Sequence, residues 1–165
     1  MMARLKVAAC AALPGAGVAL SGSVLWSALM ALLALNSLVV LGWKTPGHIA
    51  LVAAVYAAGG FLAFAPSVWL GRLLGSRRRE AVAAATFLAL ATATIGLTAL
   101  LFALQYRVYY AQWHGDTFTV RWAFEFAFTS AAAVYQFLVT GVRLYMPLGL
   151  LALFGVSWWN ARHVR

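Results

Sequence analysis

AVAAATFLALATATIGLTALLFALQ, residues 81–105, is the stretch that decides the fold of this chain. It carries no charged residue, and as a helix rising 1.5 Å per residue it covers about 37 Å, more than the roughly 30 Å hydrocarbon core of a bilayer. Arg77, Arg78 and Arg79 precede it and Arg107 follows it. An uncharged run of this length, closed by cations at both ends, reads as a transmembrane helix.

The rest of the chain repeats the pattern. Ile49 to Leu70 is a second uncharged run. Val7 to Trp43 is a third, but one helix over it would reach about 55 Å, so something must interrupt it. Pro14-Gly15-Ala16-Gly17 is the break, because proline removes a backbone donor and glycine weakens helix; the first span is expected over 18–43. Phe126 to Trp159 is too long for one upright span and too short for a helical hairpin, and the fourth span is expected over 137–159.

Composition agrees. Of 165 residues 65% are apolar and 9% charged, with mean hydropathy +0.90, whereas a soluble domain carries about 25% charged residues. The net charge of +9 would suggest nucleic acid in a soluble protein. Here the arginines lie between spans, where topology and anionic headgroups account for them, and no nucleic-acid partner is expected. Lone Cys10 offers neither a disulfide nor a metal or redox pair. Two processing signals are set aside: Arg4 and Lys6 before an apolar run imitate a secretory signal, and Val7-Ala8-Ala9-Cys10 imitates a lipoprotein box with too short an apolar core. The N-terminus is expected to be retained.

Orientation follows from lysine and arginine. With both termini cytoplasmic, the inner side holds Arg4, Lys6, Arg72, Arg77, Arg78, Arg79, Arg162 and Arg165 against Lys44, Arg107, Arg121 and Arg143 elsewhere. The expected fold is therefore all-α: one domain, residues 1–165, a bundle of four transmembrane helices with an extracytoplasmic amphipathic segment before the fourth span. Alanine-rich, lysine-poor usage points to a bacterial inner membrane.

Candidate chemistry gathers outside the basic turn. His114, Asp116 and Glu125, with His48 nearby in this topology, offer imidazole and carboxylate to a metal, although their spacing matches no established ligand pattern. If residues 119–146 form one helix, Arg121, Glu125, Thr129, Ala132, Gln136, Thr140 and Arg143 fall on one stripe, which should face a polar groove or a partner rather than lipid. The competing reading has an interfacial helix, with Arg143 reaching out to the headgroups. Gly59 and Ala63, Ala89 and Ala93, and Thr92 and Gly96 read as helix-packing surfaces, and Arg72 with Arg77 to Arg79 as topology determinants that touch anionic headgroups.

No catalytic constellation is legible, and no cofactor is implied. The expected function is a small accessory or assembly component of a membrane complex, with the bilayer and another membrane subunit or a second copy as partners. The alternatives are a translocation component for a lipid-linked or amphipathic anionic solute, with Arg143 and Gln136 on its path, and a membrane-embedded enzyme using His114, Asp116 and Glu125.

Overall fold

The computed structural model describes residues 9–75 and 78–163, whose regular structure is all helical. The long elements are α1 (Ala16–Val40), α2 (Pro46–Gly75), α3 (Arg79–Ala111), α4 (Val120–Gln136) and α5 (Leu148–Arg162). α4 passes directly into a π turn, Phe137–Gly141, and a 3-10 turn, Val142–Tyr145. Four stretches are long and apolar enough to cross a membrane: α1, α2, α3 and Val120–Tyr145.

Local chemistry sets the ends. Gly15 stands as the N-cap of α1, so the interruption falls where proline and glycine place it. α1 stops in a Schellman motif: Gly42 takes φ +75°, its N–H donates to Val39 O (3.0 Å), and Trp43 N–H donates to Leu38 O (3.1 Å). Pro46 opens α2 at the first helical position, where a missing N–H leaves nothing unsatisfied. Thr119 caps α4, its hydroxyl accepting from Trp122 N–H at 3.2 Å.

Relative to a water-soluble protein the bundle is partly inverted, with apolar outer faces and small polar side chains set among the apolar ones of its core. Leu25, Leu74, Leu88, Leu151 and Phe154 are exposed, while Ser67, Thr86, Thr98, Ser157 and Asn160 are buried. That inversion suits lipid as solvent, since hydrogen bonds and close contacts between small residues hold helices together there. A Cβ on Gly59 would overlap Thr98, one on Gly71 would overlap Thr86, and one on Gly75 would overlap Val82, so α2 and α3 touch nearly backbone to backbone. Gly22 lies under Phe64 and Gly60 under Met30 where α1 meets α2. Thr92 and Gly96 are exposed, with open space at Gly96, so this pair does not pack the bundle as expected. Thr92 satisfies its hydroxyl on Leu88 O of its own helix, at 2.7 Å.

The last third of the chain differs most from expectation. Instead of one span over 137–159, the helix that begins at Val120 distorts at Phe137 and stops at Tyr145, and α5 starts afresh at Leu148. Pro147 is the reason: it has no N–H for a helical bond and its ring clashes with the preceding turn. The broken path still runs antiparallel to α3. Arg107 lies over the Phe126 ring (4.5 Å), Phe102 meets Phe137 (6.0 Å), Tyr145 bonds Thr98 (2.8 Å), Phe87 meets Phe154 (4.8 Å) and Asn160 bonds Thr86 (2.8 Å). Arg107 and Thr86 are about 31 Å apart along α3, close to one hydrocarbon thickness. Phe126 to Asn160 would need about 51 Å as a straight helix, and the distortion takes up the surplus.

Candidate functional site

At the end of the bundle where α3 meets α4, Glu125 fastens the 112–119 turn to the helix. Its Oε2 accepts from Gly115 N–H (2.8 Å) and its Oε1 from Arg121 Nε (2.8 Å), while Thr129 Oγ1 donates to Glu125 O (2.6 Å) and lies 3.1 Å from His114 Nε2. One carboxylate oxygen thus holds the turn and the other a neighbour on α4 itself. Asp116 contributes its backbone carbonyl, which accepts from Thr119 Oγ1 at 2.7 Å. His114 and Glu125 do approach one another through Thr129, but among the described residues no three His, Cys, Asp or Glu side chains gather as metal ligands. His48 lies exposed in the first turn of α2.

Below this cap a cavity of about 190 Å³ opens between the far ends of α1 and α2 and the distorted segment, with Trp43, Tyr56, Gln136, Phe137 and Thr140 among its walls. Gln136 and Thr140 come together as the stripe predicted, and Thr140 Oγ1 donates to Gln136 O at 2.6 Å. Arg143 does not line this cavity. Between Gln136 and Arg143 the backbone leaves the regular helix for a π turn and then a 3-10 turn, and Arg143 is not carried onto the cavity wall with Gln136 and Thr140.

Arg143 instead stands exposed on the 3-10 turn, between buried Gly141 and buried Leu144. Its backbone is held firmly. Tyr56 Oη donates to Gly141 O (2.6 Å), Ser37 Oγ donates to Leu144 O (3.3 Å), and Tyr145 Oη donates to Thr98 Oγ1 (2.8 Å). Carbonyls released from the helical ladder are thereby satisfied by hydroxyls of α1 and α2, as non-helical backbone at membrane depth requires. Thr98 lies about 14 Å along α3 from Arg107, so this turn is well inside the apolar layer. Among the described residues, none forms an ion pair or hydrogen bond with the Arg143 side chain.

A second polar cluster lies at the opposite, basic end, and sequence reasoning missed it. Arg72 Nε donates to Asn160 Oδ1 (2.8 Å), and Asn160 Nδ2 donates to Thr86 Oγ1 (2.8 Å) and, more weakly, to Val68 O (3.5 Å). Asn160 is wholly buried and joins the three helices α2, α3 and α5. The available signal was an amide amid apolar residues, two positions before Arg162. Arg78 and Arg79 are exposed, Arg162 rests over the Trp158 ring at 4.9 Å, and Arg77 lies outside the described residues. No buried side-chain nitrogen or oxygen among the described residues lacks a hydrogen-bond partner.

Compared with known proteins, the chain matches no family model, no curated protein and no solved structure.

Proposed function

We propose that this protein is a non-enzymatic accessory or assembly component of a bacterial inner-membrane complex, inserted with both termini and the basic end cytoplasmic, and docked on its partner through Arg143. The basic residues at the ends of α2 and α5 and the start of α3 support the orientation. The observation that carries the docking is the setting of Arg143. A guanidinium near the membrane centre costs about 2.5–3.5 kcal/mol on insertion scales and cannot shed its proton. Yet the fold fixes the backbone around Arg143 and turns the side chain outward. An acceptor supplied by a neighbouring subunit, a carboxylate above all, removes that cost and gives docking a definite register.

The test is purification of the tagged chain in mild detergent followed by native mass spectrometry. A stoichiometric unlike subunit should accompany the wild type, fall away with Arg143→Leu and be weakened by Arg143→Lys, because lysine keeps the charge and loses the planar fork. Equal recovery of the subunit with all three chains contradicts the docking role.

A second reading, a translocation component for an amphipathic anionic solute, draws its support from the 190 Å³ cavity at the far end, where Gln136 and Thr140 supply polarity among aromatic walls. Under that reading, a Gln136→Leu variant should lose transport while keeping any subunit contact. The enzymatic reading draws less support, because Glu125 is already engaged in clamping the 112–119 turn.

A further inference from the structure

We propose that Arg72 and the groove between α1 and α5 form a binding site for one anionic phospholipid of the leaflet at the basic end. The groove has a volume of about 350 Å³, and its walls include Leu25, Leu29, Phe64, Val156 and Trp159. That size falls within the roughly 300–1,000 Å³ of ligand pockets, and an apolar trough open to the bilayer suits an acyl chain.

What commits the groove to a phospholipid is the guanidinium of Arg72, on the side of the groove toward the basic end. Arg72 follows Phe64 by eight residues, about 12 Å along α2 toward the basic end. Its anchor Asn160 is the chain neighbour of Trp159, which lines the groove. Asn160 Oδ1 accepts the Nε proton, and buried Asn160 is itself fixed by Thr86. Arginine has five N–H donors; holding Nε leaves the two terminal nitrogens, which bond no described residue, as a pre-oriented fork. A phosphate diester accepts two parallel bonds from such a fork. The depth fits as well. Gly22 lies under Phe64 and Gly60 under Met30, so α1 and α2 run antiparallel and Arg72 comes level with the first residues of α1, where headgroups begin. This site is separate from the Arg143 turn and does not depend on the docking proposal.

The full-length protein is reconstituted in vesicles of phosphatidylcholine with one quarter phosphatidylglycerol, extracted gently, and its retained lipids are counted by native mass spectrometry. The wild type should keep one phosphatidylglycerol, enriched about five- to tenfold over its share of the bilayer. Arg72→Lys should abolish most of that enrichment. Val156→Phe, which narrows the groove and leaves Arg72 and Asn160 in place, should do the same, and it keeps the test informative if an Arg72 variant fails to fold. Arg79→Gln, which removes an exposed charge from the same end, should leave the enrichment intact. Loss of enrichment by Arg79→Gln equal to that by Arg72→Lys would reduce the site to general surface charge and overturn the proposal. So would displacement of the retained lipid by glycerol phosphate, since a site for a free anion has no use for the groove, and so would equal retention of phosphatidylcholine.

Discussion

Arg72 and Arg143 bring the same side chain into apolar helices, and the fold treats them in opposite ways. Arg72 enters the bundle at the basic end, where an internal amide takes its Nε and is itself held by α3. Arg143 leaves the bundle on a turn whose backbone is tied down by Tyr56 and Ser37 while its side chain meets no described acceptor. At Arg72 the chain answers the charge with its own residue. At Arg143 it fixes the backbone and offers no described acceptor to the side chain. A charge serving only the stability of this bundle would resemble the first case, which is why the second is the one assigned to a partner.

The largest expected effect attacks the internal answer. Asn160→Leu keeps the branched outline of the side chain but leaves Arg72 Nε and Thr86 Oγ1 without their partner, and losing a part-buried hydrogen bond to a charge together with a buried one costs about 3 kcal/mol. Unfolding of the purified protein in mixed micelles should show that loss; an unchanged midpoint would mean that water already serves Arg72, and the contrast would weaken. Next comes the frame that brings α3 within reach of Asn160. Gly71→Ala forces a methyl group into Thr86 and should cost about 1–3 kcal/mol by overpacking, whereas Gly96→Ala, on an open face, should be neutral or slightly stabilising. The smallest effect belongs to Arg143. In detergent, apart from any partner, Arg143→Leu should change stability by less than about 0.5 kcal/mol, as substitutions outside a packed network do. A loss comparable with that of Asn160→Leu would show that Arg143 serves the bundle itself.

The first three apolar helices were legible because length and absence of charge state them without reference to anything distant, and the Pro14-Gly15 break marks the start of the first by local backbone chemistry; the fourth, expected over 137–159, runs instead over Val120–Tyr145. The close approach of α2 to α3 was legible in part: Gly59 and Ala63 lie inside, but Thr92 and Gly96 have the same spacing on the wrong face, and spacing alone does not choose a face. Of the stripe from Arg121 to Arg143, Gln136 and Thr140 share one cavity wall and Arg143 stands outside it, on irregular backbone tied by the hydroxyls of Tyr56 and Ser37 that a helical repeat cannot anticipate. Asn160 was invisible for a different reason. Its meaning lies in Arg72 and Thr86, 88 and 74 residues away, and one sequence holds no record of such pairings.

The central claim is that Arg143 finds its acceptor on another protein, and photo-crosslinking in intact cells tests it most directly. A benzophenone side chain in place of Val139, exposed one turn before Arg143, should give one discrete adduct with an unlike membrane protein. The adduct should disappear when Arg143→Leu is added and the amount of protein in the membrane is unchanged. Crosslinking to lipid alone, or an adduct of the same intensity with and without Arg143, would contradict the account and leave Arg143 as a side chain that merely reaches for the headgroups.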